Sequence, residues 1–211
     1  MNSAALRRRW TYLGLSLIAA LSLYYLYRAI TYRFLSPGRL GPELFNKQLW
    51  YFSHVAFALP VLFGAPLQFI TSLRVRAPQL HRAIGKAYVV GACSAALLAI
   101  YLGAIVGEYE GSRLSIALTG LIWIFFTLAA WRLAVAQNVR AHRAFMIRSY
   151  TMALVLVWLR LMYDFQEYLF FYVTNEDLRD ATREWASWVV PLLIVEMWLN
   201  WGPQVRGGKP A

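Results

Sequence analysis

Long apolar blocks, each bounded by charged residues, run almost the whole length of this chain, and that alternation constrains its fold more than any single motif does. A helix rises about 1.5 Å per residue, so about 20 apolar residues cross a hydrocarbon core of about 30 Å with every internal backbone group bonded. Six blocks fit: Trp10 to Ile30, Leu49 to Ile70, Ile84 to Val106, Leu114 to Ala136, Phe145 to Val173 and Trp185 to Trp201. The sequence therefore reads as all-α, a polytopic transmembrane helix bundle of about six spans. The fifth block is long enough to tilt or to project from the bilayer, and the sixth is short and carries Pro191, which predicts a kink. Nearly all of the 211 residues are needed for spans and connections, so any chemistry sits in the bundle or at its two faces.

Hydrophobic residues make up 60% of the chain, yet it carries 21 Lys and Arg against 10 Asp and Glu, a net charge of +11. In a soluble protein that balance would point to nucleic acid. Here the basic residues gather at span ends, so the expected partner is the lipid bilayer, with anionic lipid at the cytoplasmic face, and not nucleic acid. Arg7 to Arg9, then Arg74, Arg76, Arg82 and Lys86, then Arg140, Arg143 and Arg148, then Arg206 and Lys209 mark alternate connections as cytoplasmic. The connections around Glu108 and Glu110, and around Glu176, Asp177, Asp180 and Glu184, are acidic and face outward. Both termini are then inside a bacterial inner membrane. The first outer loop, with Arg33, Arg39 and Lys47, departs from the rule.

Three segments follow. Residues 1–47 read as an uncleaved signal-anchor helix with an outer loop, because Arg7, Arg8 and Arg9 precede an apolar run too long for an ordinary signal peptide. Residues 48–173 form a four-helix core, and 174–211 an outer loop, the last span and a cytoplasmic tail. The single cysteine, Cys93, excludes an internal disulfide and reads as packing. The third span carries Gly91, Ala95, Ala99, Gly103 and Gly107 at every fourth position, a stripe that lets helix backbones approach closely in lipid.

Two histidines recur in similar settings. His81-Arg82-Ala83-Ile84 opens the third span and His142-Arg143-Ala144-Phe145 opens the fifth, with Tyr88 and Tyr150 about two turns deeper. The recurrence suggests a parallel two-helix repeat. Two neutral imidazoles at one depth, each beside an arginine able to pair with a propionate, are the elements of a haem b or quinone site. The structural alternative is that His-Arg pairs cap helices at the interface and follow the positive-inside bias.

Deeper in the membrane, ionisable groups must pair or protonate. Arg160, Asp164 and Glu167 share one helical face, and His54, on the second span, reaches a depth similar to that of Arg160. Glu196 lies about 16 Å down the sixth span, with Arg148 as its expected partner and Gln68 within hydrogen-bonding range. The expectation is a buried polar cluster of His54, Arg160, Asp164, Arg148 and Glu196, either locking helices together or handling a proton or substrate.

Taken together, His54, Gly64, Gln68-Phe69, His81-Arg82-x-x-Gly85-x-x-Tyr88, Trp123, His142-Arg143-x-x-Met146-x-Arg148-Ser149-Tyr150 and Leu159-Arg160 make a pattern. It resembles a bacterial family of multi-pass predicted membrane proteins of unknown function. The resemblance covers about Trp50 to Asp164 and leaves the first and last spans, Glu196 included, outside it. It implies that these histidines, arginines and tyrosines are motif positions and brings no reaction with it. Three functions compete: a non-catalytic accessory or structural subunit of a membrane complex, a small redox protein holding haem or quinone, and a proton or small-molecule transporter. The first is preferred, since three histidines at two depths allow at most one bis-His haem and no inverted repeat is visible.

Overall fold

A computed structural model describes residues 3–34, 42–107 and 110–201; Arg39, Glu108, Arg206 and Lys209 lie outside them. The described residues are mostly helical, with no strand among them. The helices are α1 (Ser3–Phe34), α2 (Pro42–Gln68), the short α3 (Thr71–Arg76), α4 (Pro78–Ala99), α5 (Glu110–Val135), α6 (Val139–Ala153), α7 (Val155–Asp164), the single turn α8 (Gln166–Leu169) and α9 (Glu176–Glu196). Wider π-helical turns extend α4 over Ile100–Ile105 and α9 over Met197–Trp201.

Four helical stretches are long and apolar enough to cross a membrane: Tyr12–Thr31, Lys47–Gln68, Pro78–Ile105 and Glu110–Val135. A fifth crossing is α6 and α7 taken together. The single span expected over Phe145 to Val173 is broken at Leu154, and its halves meet at 41°. By length and composition the count is thus four or five rather than six. The expected sixth block is helical, but α9 begins in the charged stretch Glu176–Glu184, which lowers its hydropathy. That stretch was expected to be a loop. The helix also runs on through Pro191.

The small-residue stripe does what lipid demands of it. Helices there associate through close packing, because lipid tails are as apolar as the side chains. A Cβ on Gly91 would lie 2.6 Å from the Phe57 carbonyl oxygen of α2, and Ala92, Ala95 and Ala96 are fully buried. On the other side of α4, a Cβ on Gly120 of α5 would lie 2.5 Å from the Ile100 side chain, and one on Gly103 2.7 Å from Ile116. Helix α4 is therefore clasped between α2 and α5. Helix α6 packs on α5, α9 lies against α5, α6 and α7, and α1 touches the rim at α2 and α7. Large apolar side chains such as Leu17, Val90, Leu97, Leu121, Phe125 and Ile194 point outward, as they must where the solvent is lipid.

The turn between α5 and α6 holds Gln137 in the left-handed region (φ 57°) and brings the end of α5 beside the start of α6. Arg74, Arg76, Arg82, Lys86, Arg132, Arg140 and Arg143 cluster at this basic end of the bundle, while Glu110 and the carboxylates from Asp164 to Glu184 lie at the other.

Candidate functional site

Asn138 caps α6 by accepting from the Ala141 N–H (3.2 Å), while Pro78 begins α4, where its missing N–H costs nothing. The His81 N–H then bonds the Ala77 carbonyl (3.0 Å) and the His142 N–H the Asn138 carbonyl (2.9 Å), so both His-Arg pairs occupy the same turn of their helices. One contact fixes how the helices are aligned. Tyr88 and Ser149 meet at 2.8 Å across α4 and α6, and they stand as far apart in sequence as His81 does from His142. The helices thus run parallel and in register, and two turns toward the basic end the histidines come together. His81 lies within electrostatic reach of His142 and also of Arg74 on α3.

The two imidazoles are held differently. His142 donates its Nδ1–H to the Ala130 carbonyl of α5 (2.8 Å). His81 has a buried Nδ1 with no partner, although its backbone carbonyl accepts from the Gln68 amide (3.1 Å). Arg82 and Arg143 are exposed and form no ion pair among the described residues. Tyr88 enters the buried network beneath them, whereas Tyr150 turns toward α2, stacking on Phe69 at 6.1 Å with its hydroxyl 3.5 Å from the Leu62 carbonyl.

Beneath the histidines a chain of hydroxyls crosses three helices. The Thr127 Oγ1–H goes to the Trp123 carbonyl (2.8 Å), so Thr127 must accept from Ser149 (2.7 Å), and Ser149 in turn from Tyr88. One proton per hydroxyl leaves this single direction. Tyr88, Thr127 and Ser149 are fully buried, and the network ties α4, α5 and α6 together where no water could replace a lost partner. The Trp123 indole N–H beside it is buried and unbonded.

The rest of the expected polar cluster divides into separate locks. Asp164 was expected to hold Arg160 near His54. Instead it takes Arg28 of α1 in a forked contact (2.6 and 2.8 Å) and accepts from the Tyr25 hydroxyl (3.1 Å). His54 lies elsewhere, donating Nδ1–H to the Ala95 carbonyl of α4 (2.8 Å). Arg160 is exposed and lies within electrostatic reach of Glu184. The reason is competition: Arg28 of α1 and the Tyr25 hydroxyl reach Asp164 from a neighbouring helix, and Arg160 faces Glu184 instead. Arg148 and Glu196 do meet, in a bidentate pair (2.5 and 2.8 Å) that Asn200 completes with its amide (2.8 Å). The Arg148 guanidinium also lies 5.1 Å from the centre of the Phe145 ring. Gln68 is not part of that pair; it serves His81.

A further cluster at the acidic end was missed. Arg183, only 6% exposed, bonds Asp180 (2.5 Å) and Gln166 and lies 4.8 Å from the centre of the Tyr163 ring. Beside it, burial pushes the Glu184 carboxyl from the usual 4.5 up to about 7; Asp180 adds to the shift, while Arg183 and Arg160 oppose it. One turn deeper the Trp188 indole donates to Ser115 of α5 (3.0 Å). Read as a loop, this stretch gave no reason to group its charges. Its i, i+3 spacing of Asp180 and Arg183 was the available signal. Among the described residues no three His, Cys, Asp or Glu side chains are grouped to hold a metal ion.

Residues 51–199 match the model of a family described as "Predicted membrane protein (DUF2306)", and the chain belongs to that family. The match runs beyond the stretch that the resemblance covered and takes in all of α9, so Glu196 lies inside the family region after all. No curated protein and no solved structure matches the chain.

Proposed function

Starting from that family membership, we propose that the chain is a non-catalytic helical subunit that packs within a larger complex of a bacterial inner membrane, its basic end and both termini in the cytoplasm. The observation that carries this reading is how the buried polar groups are used. Five of them, buried or half-buried, bond another helix: Asp164 holds Arg28, Arg148 holds Glu196, Tyr88 holds Ser149, and the His54 and His142 rings hold backbone carbonyls. Groups engaged in holding helices in register suit a scaffold better than a transport path, which needs ionisable groups free to change partners. Exposed aromatics such as Phe125, Trp158, Trp198 and Trp201 supply surface for a neighbour or for the lipid interface.

The test is native electrophoresis of membranes opened in a mild detergent, paired with an absorption spectrum of the purified chain before and after dithionite. The expected result is a discrete band well above that of the 24.2 kDa chain with its detergent, and a spectrum without a Soret band. A band at the size of the isolated chain overturns the accessory role. A Soret band with sharp reduced bands would replace it with the redox reading centred on His81 and His142.

A further inference from the structure

The basic end of the bundle brings like charges together, and no ion pair holds Arg74, Arg82 or Arg143 among the described residues. Arg74 on α3, His81 on α4 and His142 on α6 lie within electrostatic reach, and Arg82 and Arg143 follow the two histidines directly. Neither Thr71 to Lys86 nor Arg132 to Tyr150 contains an Asp or Glu. Elsewhere among the described residues four arginines have a carboxylate of their own: Arg28 has Asp164, Arg148 has Glu196, Arg179 has Glu167 and Arg183 has Asp180. Arg74, Arg82 and Arg143 are exposed and form no ion pair among the described residues. Exposed cations gathered at one end of a bundle make a positive field that draws an anion to that face.

We infer that Arg74, Arg82 and Arg143, at the end of the bundle that also carries His81 and His142, bind the phosphate headgroup of an anionic lipid. Guanidinium groups match a phosphate with paired N–H donors. The surroundings select a lipid over a soluble phosphate. Val75 (71% exposed), Leu80 and Val139 stand beside these arginines, so the site offers an apolar flank for acyl chains next to its charged mouth. The inference rests on the chain being a membrane-embedded bundle and is independent of the accessory role.

The experiment compares thermal unfolding in nanodiscs of pure phosphatidylcholine and of three parts phosphatidylcholine to one part phosphatidylglycerol. Three chains are measured: the natural one, R74Q/R82Q/R143Q, and the charge-matched R7Q/R8Q/R9Q. The expected result is that phosphatidylglycerol raises the Tm of the natural chain by about 3 °C, that the R74Q/R82Q/R143Q shift vanishes, and that the R7Q/R8Q/R9Q shift survives. Equal shifts in all three chains, or equal loss in both variants, would reduce the effect to general surface potential and overturn the site. A parallel titration of inorganic phosphate in phosphatidylcholine discs separates the sources. Stabilisation there that needs the same arginines, without any response to phosphatidylglycerol, would overturn the lipid assignment in favour of a soluble anion.

Discussion

Glu184 stands out at the level of single residues because its carboxyl is buried beside Asp180 while the guanidinium of Arg183 is already engaged. Its folded value of about 7 lies above the usual 4.5, so between those values the folded chain holds a proton that the unfolded chain has released. Stability is therefore greatest at low pH in this window and falls as pH rises toward and through 7. The shift corresponds to about 3 kcal/mol at most. Thermal unfolding of the natural chain and of Glu184→Gln between pH 5 and pH 8 checks this. The natural chain should lose stability across the range while the variant stays nearly flat; parallel curves would mean that Glu184 is solvated. The residue-level reading of the sequence worked where one costly group had one reachable opposite charge, as for Glu196 and Arg148. It failed for Asp164, because nothing in a single sequence says which helices are neighbours, and Arg28 of the first span was therefore never set against it.

Among the elements, α4 packs its small-residue stripe against the α2 backbone; the close approach was legible because small residues at every fourth position have few other uses in lipid, but the partner helix was not. Spacing did not separate glycines that meet a neighbour from those that do not. A Cβ at Gly91 would press on a backbone carbonyl at 2.6 Å, which no rotamer change relieves, whereas one at Gly85 would meet only the end of Gln68 at 3.8 Å. Gly91→Ala should therefore cost about 1–3 kcal/mol through overpacking. Gly85→Ala should be neutral or gain about 0.5–1 kcal/mol from lower backbone entropy in the unfolded chain. Thermal unfolding of the two variants in one detergent decides it; equal effects would show that helix propensity, not the α2–α4 distance, sets the outcome. The break at Leu154 was illegible for a related reason. The run from Phe145 to Val173 contains neither Gly nor Pro, so the bend between α6 and α7 has no punctuation in the sequence.

For the whole molecule, apolar blocks and charge alternation gave the class of fold, and the remaining question is how many times the chain crosses the membrane. Composition alone withholds a crossing from α9, because its first turns carry the charges of Glu176–Glu184. Its neighbours supply depth marks. Near its start α9 approaches Gly111 of α5 through Ala181, then bonds Ser115 through Trp188, and by Glu196 it has reached Arg148. Arg148 lies nine residues into α6, about 14 Å from the basic end at the usual helical rise. A helix that starts beside the acidic end and reaches that level is already deep in the bundle, and it continues over Met197–Trp201 toward the basic side. The C-terminus should therefore share a side with the N-terminus, and reporters fused after Arg76, after Gln137 and at Ala211 should report that same side, with fusions after Gly111 and Asp180 reporting the opposite one. If the reporter at Ala211 matched the one at Asp180, α9 would not cross, and the Arg148–Glu196 pair would have to form with α9 entering and leaving the bundle from the acidic side.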